Sequence, residues 1–428
     1  MRLLLFLILI INPVYALDIN QSVKSTIENN PKVKIALEKL NESKELIESA
    51  YGKKLPSVTG TLSGTYSNSD SQSATDSTTP ETFTDKYKLT ISQNLYDGGF
   101  NNLEIDRSKI LYDNEILYFK NTIQNLVLSA IEGYLLVINY KKSLEANKKN
   151  FDSVLQVLEE MKTLYDLGSA TLYELQNAES AFAIAQTNLF TAEQNFKISQ
   201  KTFNRIVGQK PLNLEEVIDF DEEFDLNNII LRTSTNNYDL LILKNDIKNK
   251  EILLAKEKQS KLPSLDLSAS AEYSDSGRID NGKEKTDGTI GLTLTIPIFK
   301  QNLDNSNIRK YQSQILQSEL SYQDLIADLE IQASNLYKNY LISKVSIKSN
   351  LIRIQSIETS LEAIREEYMI GTKTSTDLIE TESELLSVNV NYFDARKDFI
   401  LNYFHIKGLE GSLIELFENY LPDSNLIF

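Results

Sequence analysis

Proline and glycine are missing from most of this chain, and that absence constrains the fold more than any motif does. All eight prolines, Pro13, Pro31, Pro56, Pro80, Pro211, Pro263, Pro297 and Pro422, fall outside four long stretches. From Asn101 to Tyr165 only Gly133 interrupts. Leu172 to Val207, Leu303 to Tyr368 and Thr372 to Lys407 contain neither residue and are rich in Leu, Ile, Glu, Lys, Gln and Ala. Such residues lose little rotamer freedom in a helix, so each stretch is expected to be one helix. At about 1.5 Å per residue the first and third would be roughly 100 Å long, beyond an ordinary domain, which calls for coiled-coil or solenoid packing. Apolar spacing agrees: Leu155, Leu158, Met161 and Leu164 recur every three or four residues, as do Leu351, Ile354, Ile357, Leu361 and Ile364. Two shorter helices are expected as well. Asn30 caps one that begins at Pro31 and runs to about Tyr51, and Tyr238 to Lys261 is its counterpart.

The chain is a tandem duplication. Setting Asn29-Asn30-Pro31 against Asn236-Asn237-Tyr238 carries Leu55-Pro56-Ser57 onto Leu262-Pro263-Ser264, a step of 207 (262 less 55). The step then settles at 203 (371 less 168). It takes Leu89-Thr90 to Leu292-Thr293, Gly168 to Gly371, Leu175 to Leu378, Glu179-Ser180 to Glu382-Ser383 and Gly208 to Gly411. Both halves follow one plan of helix, strand, strand, long helix, turn and helix.

The strands alternate with period two. Val58, Leu62 and Tyr66 oppose Thr59, Thr61, Ser63 and Thr65; Phe83, Tyr87, Leu89, Ile91 and Leu95 oppose Thr84, Lys86, Lys88 and Thr90. In the second half Leu265, Leu267, Ala269, Ala271 and Tyr273 oppose Asp266, Ser268, Ser270 and Glu272, and Ile290, Leu292, Leu294, Ile296 and Ile298 oppose Thr289, Thr293 and Thr295. One face suits lipid and the other water, the pattern of a transmembrane barrel. Four strands cannot close, and unpaired sheet edges are forbidden in lipid. The barrel must therefore be oligomeric. Two chains would give eight strands with a filled interior, and three give twelve with room for a lumen, so a homotrimer is expected.

The start of the chain agrees with export. Arg2, the apolar run Leu3 to Ile11, Pro13 and Val14-Tyr15-Ala16 read as a signal peptide cut after Ala16. With no cysteine there is neither a disulfide framework nor a lipid-anchoring thiol, so membrane attachment is expected through β-structure. A net charge of -16 excludes a nucleic-acid partner. One histidine and no cysteine leave no nucleophile-base pair and no His-rich metal site, so neither an enzyme nor a cofactor is expected. His405, among Tyr403, Phe404 and Ile406, reads as packing or surface, and Glu159-Glu160 as a solvated helix face.

Taken in order, several stretches resemble the TolC family of outer-membrane efflux and secretion channels: Asn30-Pro31 with Leu55-Pro56-Ser57, Gln93-Asn94-Leu95-Tyr96-Asp97-Gly98-Gly99, Tyr165 to Thr171 followed by Glu179, and Tyr368 to Thr374 followed by Glu382. The resemblance covers essentially the whole mature chain. It implies a mainly α fold with a membrane β-barrel, in which a trimer forms a twelve-stranded barrel continued by a twelve-helix periplasmic α-barrel. The implied layout is a signal peptide at 1–16, then a first repeat at 17–210, with strands about 57–69 and 83–96 and a helical hairpin about 101–207. An equatorial linker follows at 211–236. The second repeat occupies 237–411, with strands about 264–275 and 286–299 and a hairpin about 303–408, and 412–428 is a C-terminal equatorial segment. The implied partners are a periplasmic adaptor (membrane fusion) protein, an inner-membrane pump or ABC transporter, and outer-membrane lipid. The missing cysteine fits the type I secretion branch better than the lipid-anchored one.

The hairpin tips are the candidate functional residues. Gly168 and Gly371 permit positive φ at a helix end, and Thr171 and Thr374 cap the returning helices. With Ser169 and Thr372, the resemblance gives these residues an adaptor-docking role. It also places Tyr368 and Lys373 at the aromatic and basic positions of the periplasmic gate, Asp377 and Glu380 at its acidic entrance, and Glu174 as the partner carboxylate. Lys373 stands where the family has arginine, which removes a bidentate bond. Acids in a first helical turn also complement the helix dipole, so pore ring and plain helix start both account for them. The other class of reading is a periplasmic coiled-coil scaffold or adaptor without a channel.

Overall fold

The computed structural model describes residues 17–68, 71–73, 76–78, 81–217, 222–278 and 283–420. The expected signal peptide, 1–16, lies outside the described residues, as does the end of the C-terminal segment from 421. In the first repeat α1 (Ile19–Asn29) and α2 (Pro31–Gly52) precede β1 (Ser57–Asn68), a small hairpin of β2 (Ser71–Ser73) and β3 (Asp76–Thr78), and β4 (Glu81–Tyr96). The helices α3 (Phe100–Asp166) and α4 (Leu172–Val207) complete it. The second repeat runs α5 (Leu226–Asn236), α6 (Tyr238–Gln259), β5 (Ser264–Arg278), β6 (Lys283–Thr295), α7 (Leu303–Met369) and α8 (Ser375–Leu409), then a short 3-10 helix, Ile414–Tyr420.

Duplication extends to element lengths: α2 and α6 have 22 residues each, and α3 and α7 have 67 each. The segment 211–236, expected as a linker, carries α5, the counterpart of α1. Each pair of short helices is broken at an asparagine. The backbone N–H of Asn30 donates to Thr26, and its side-chain oxygen accepts from the Lys32 N–H at 3.1 Å. Asn237 does the same with Thr233 and with the Asp239 N–H at 3.0 Å. Their side-chain amides donate to the ends of the long helices, Asn30 to the Ile206 carbonyl and Asn237 to the Leu409 carbonyl.

Two compact units emerge. One comprises Leu37–Leu117 and Leu241–Asp324 and contains an antiparallel sheet of order β1-β4-β5-β6. Directly paired residues share a face. The row Val58, Ile91, Ala269, Ile290 and the row Leu62, Tyr87, Tyr273 lie on one side, with Leu267 and Leu292. This side is open: Leu62 is 76 % exposed and Ile290 82 %. Thr59, Thr90, Ser270 and Thr289 form a row on the other side, where Glu272 lies 3.8 Å from both Lys86 and Lys88. Two details depart from strict alternation. The pairing of β4 with β5 shifts between Asn94 and Tyr96, so Tyr96 rather than Leu95 lies opposite Leu265. And β6 ends at Thr295, short of the expected 299, leaving Ile296 and Ile298 outside the strand beside Pro297.

The other unit comprises Met1–Ala36, Tyr118–Leu240 and Leu325–Phe428. Its core gathers Val23, Val127, Ile131, Tyr134, Phe203 and Ile406, all essentially buried. The Tyr134 hydroxyl lies 2.9 Å from the Leu17 carbonyl and 2.7 Å from that of Glu215, donating to one at a time and tying down the segment after α4. Beside it, Glu216 lies between Lys142 at 2.5 Å and Arg396 at 3.1 Å, and its hydrogen bond with Lys142 holds the carboxyl below its ordinary range against the effect of burial. An 18-residue window in α3 is apolar enough to cross a membrane by composition, but 56 % of it is buried, and Val127, Ala130, Ile131 and Leu135 of this helix lie in the core.

Candidate functional site

The turns after α3 and α7 are built alike. Gly168 (φ +75°) and Gly371 (φ +79°) adopt the left-handed conformation with open space around them, so backbone strain alone favours glycine. The Gly168 N–H donates to the Tyr165 carbonyl (2.9 Å) and the Ser169 N–H to Leu164 (2.8 Å). The second turn repeats this with Gly371 to Tyr368 (3.0 Å) and Thr372 to Glu367 (2.9 Å), closing both helix ends.

Each return helix starts with a capping box. The Thr171 hydroxyl accepts from the Glu174 N–H at 3.2 Å, and the Glu174 carboxylate accepts from the Thr171 N–H at 2.8 Å; Thr374 and Asp377 match at 3.2 and 2.9 Å. These bonds favour the ionised acid. The Thr171 N–H, then its hydroxyl, lowers the Glu174 pKa; the Thr374 N–H, then its hydroxyl and Lys373, lowers that of Asp377. Beneath the turns Val157, Leu158, Met161, Leu175, Leu361 and Leu378 belong to one buried cluster that fixes the hairpins side by side.

The structure gathers some of the expected gate residues and separates others. Tyr368, Lys373 and Glu174 line a groove of about 760 Å³ between the tips, together with Glu160. Lys373 Nζ lies 3.7 Å from Asp377 of its own turn. Half-buried Tyr368 faces Glu160, and burial first, then the nearby Glu160 charge, raise its pKa. Glu380 is exposed on α8 and lines a different groove with Asn139, Asn147, Asn188 and Asn391. Ser169 and Thr372 serve the turns through backbone bonds, and the Thr372 hydroxyl also donates to the Glu367 carbonyl at 2.9 Å. His405 is part-buried, and desolvation lowers its pKa against the opposing charge of Glu132.

Two features escaped the sequence reading. Glu160 was expected on a solvated face but is part-buried, its charge acting on Tyr368 of the second hairpin. Glu382 is buried, accepts from Ser153 of α3 at 2.8 Å and pairs closely with Arg365 of α7, so one carboxylate ties three helices together. The clue to Glu382 was its recurrence at the position of Glu179.

An amphipathic antiparallel sheet with an open apolar face is joined in duplicate to long capped helical hairpins. The chain belongs to the outer membrane efflux protein family, whose defining pattern matches residues 23–209 and 236–407. It is 23 % identical over 310 residues to the outer membrane protein TolC of Escherichia coli K12, a match covering 68 % of this chain and 62 % of that relative. It is 22 % identical over 330 residues to the outer membrane efflux protein BepC of Brucella suis, covering 76 % of this chain and 72 % of that one. In fold it is similar to the Campylobacter jejuni CmeC outer membrane channel, with a TM-score of 0.79 at 17 % identity over 95 % of this chain and 90 % of the other. The open state of the Neisseria gonorrhoeae MtrE channel gives 0.73 at 12 % identity, covering 92 % and 89 %.

Proposed function

We propose that this protein is the outer-membrane exit duct of a tripartite efflux pump or type I secretion system. Three copies close one twelve-stranded barrel, and the helical hairpins form the wall of the periplasmic passage. A periplasmic adaptor docks on the tips at Gly168, Ser169, Thr171, Gly371, Thr372 and Thr374, and an inner-membrane transporter supplies the cargo. Tyr368, Lys373, Asp377, Glu380 and Glu174 set the charge and closure of the periplasmic end. The observation that carries this reading is the sheet: among the described residues β1 pairs only with β4 and β6 only with β5, in a four-stranded sheet whose apolar side is open. Both edges need partner strands in lipid, and a scaffold without a channel would have no use for that side.

Native mass measurement in detergent should give a trimer; a stable membrane-inserted monomer or dimer would refute the proposal. Leu292→Arg, on the apolar side, should cost about 2 to 4 kcal/mol of assembly stability, while Thr90→Arg on the polar side should mainly change conductance. Equal assembly defects would mean the two sides are wrongly assigned.

A further inference from the structure

The apolar side of the sheet is bounded by charges of opposite sign at its two ends. At the loop end Gly64, Asp85, Asp275 and Glu284 pair directly in one row, so three carboxylates stand side by side across β4, β5 and β6. At the helix end Lys54 stands just before β1, Lys261 just before β5 and Lys300 just after β6. Val58, Leu62, Ile91, Leu267 and Leu292 lie between the two ends. On β6 the stretch from Glu284 to Leu294 covers ten steps (294 less 284), roughly 34 Å of strand. Tilted by about 45°, it spans roughly 24 Å, close to the apolar band of about 25 Å that a membrane barrel presents. The two sets of charges therefore sit at opposite borders of that band.

The bases near the helix end are not all alike. Lys53 and Arg107 lie 3.9 and 3.5 Å from Glu104, and Lys256 pairs closely with the same carboxylate. Lys54 and Lys261 rest on neutral groups instead: the Lys54 ammonium donates to the Asn102 side-chain oxygen, and the Lys261 ammonium to that of Asn305 at 2.6 Å, the second pair duplicating the first. Among the described residues neither has a carboxylate partner, in a chain whose net charge is -16. Lys300 donates to the Ser260 carbonyl at 2.6 Å and lies 3.8 Å from Asp304. The fourth strand end carries Asp97, but its carboxylate is taken by the Gly99 and Asn101 N–H groups at 2.8 and 2.7 Å. An ammonium has three hydrogens, so one neutral bond leaves donors to spare. Beside these donors Leu55 and Leu262 are exposed, Ile298 is 94 % exposed and Phe299 80 %.

We propose that Lys54, Lys261 and Lys300 seat the phosphate of an anionic phospholipid of the periplasmic leaflet, with its acyl chains against the apolar side of the sheet. The occupant must bring an anion and hydrocarbon together, because the lysines border bare apolar side chains. A soluble acidic protein would leave Ile298 and Phe299 in water, whereas a phospholipid covers them and meets the ammonium groups at once. Lysine acts as a point charge without the planar fork of arginine, so the contact selects the charge of the headgroup rather than its shape. The row of Asp85, Asp275 and Glu284 repels the same headgroup. A lipid phosphate is thus favoured at the helix end of the sheet and opposed at the loop end. This rests on the apolar side facing lipid, as proposed above, and names the headgroup that meets its helix end.

Native mass measurement of the detergent-solubilised protein, with dioleoylphosphatidylglycerol or dioleoylphosphatidylcholine added at equal concentration, tests the proposal, since the two lipids share acyl chains and differ in headgroup charge. The unsubstituted protein should retain phosphatidylglycerol in preference. Lys54→Gln, Lys261→Gln and Lys300→Gln should each weaken that retention about fivefold, and the triple glutamine variant should lose the preference. Arginine at all three positions should keep it, and Lys86→Gln, on the polar side, should leave it unchanged. The single variants carry the same test should the triple variant fail to assemble. Equal retention of both lipids by the unsubstituted protein, an undiminished preference in the glutamine variants, or displacement of phosphatidylglycerol by millimolar inorganic phosphate, which would mark a site for free anions, overturns this inference and leaves the exit-duct reading standing. A protein that retains neither lipid and does not insert into vesicles overturns both.

Discussion

The turn at Gly168 and the turn at Gly371 share a backbone and differ in what they hold. Both close with the same pair of carbonyl bonds, a left-handed glycine and a threonine-carboxylate box. Yet Tyr165 of the first turn is exposed, whereas its counterpart Tyr368 is half-buried and feels the charge of Glu160 of the first hairpin. Ala170 of the first turn corresponds to Lys373 of the second. Local rules set the shape of a turn, and a few side chains outside those rules decide whether it is tethered. Under the proposed function, the second turn is therefore the better place for a releasable closure.

If that division is right, the largest effects should be equal at both turns. Gly168→Ala and Gly371→Ala should each cost about 1 to 2 kcal/mol of local stability by amide hydrogen exchange, since each forces a side chain into the left-handed region with no clash to add. A cost confined to one turn would break the equivalence.

Thr171→Ala and Thr374→Ala should each cost about 1 kcal/mol, again alike. The caps also predict a pH dependence. Glu174 and Asp377 have pKa values depressed in the folded protein, so their contribution is fully present above the unfolded value, about pH 4, and is lost as pH falls through the lower folded value. Hydrogen exchange at both turns should accelerate together as the pH is lowered below about 4, relative to a Thr171→Ala, Thr374→Ala double variant.

The smallest effects on stability should separate the turns. Lys373→Ala and Tyr368→Phe should leave trimer yield and melting nearly unchanged, because an exposed ion pair contributes little and the half-buried Tyr368 ring is kept by phenylalanine. Together they should raise single-channel conductance in planar bilayers, while Tyr165→Phe should leave it unchanged. Equal conductance for all three proteins would assign Tyr368 and Lys373 to packing alone.

The order of elements and the faces of the strands were legible because they are periodic: no proline or glycine within α7, and Val58, Leu62 and Tyr66 at every fourth residue. The caps were legible too, because Thr171 and Thr374 act on residues three positions away. What stayed hidden was either a break in period or a distant partner. The bulge at Leu95 costs one residue in a run that otherwise alternates, and α5 begins in a segment without the long clean pattern of its neighbours. Glu160 and Tyr368 are far apart in sequence, so the charge of an acid that reads as a solvated face acts on the phenol only once two hairpins stand side by side.

The order β1-β4-β5-β6 also has a consequence for how the chain is made. Its outer pairings are local hairpins, but the central seam of β4 with β5 joins the two repeats, with α3, α4, α5 and α6 lying between them in sequence. A nascent chain released after the first repeat would hold a two-stranded ribbon, marginal in water. The seam must await synthesis of the second repeat, and its rate should follow the slow closure of a long intervening segment unless the helices assemble first and shorten the search. Sheet formation thereby waits for β5 and β6, so a chain that ends after the first repeat cannot present a four-stranded apolar surface.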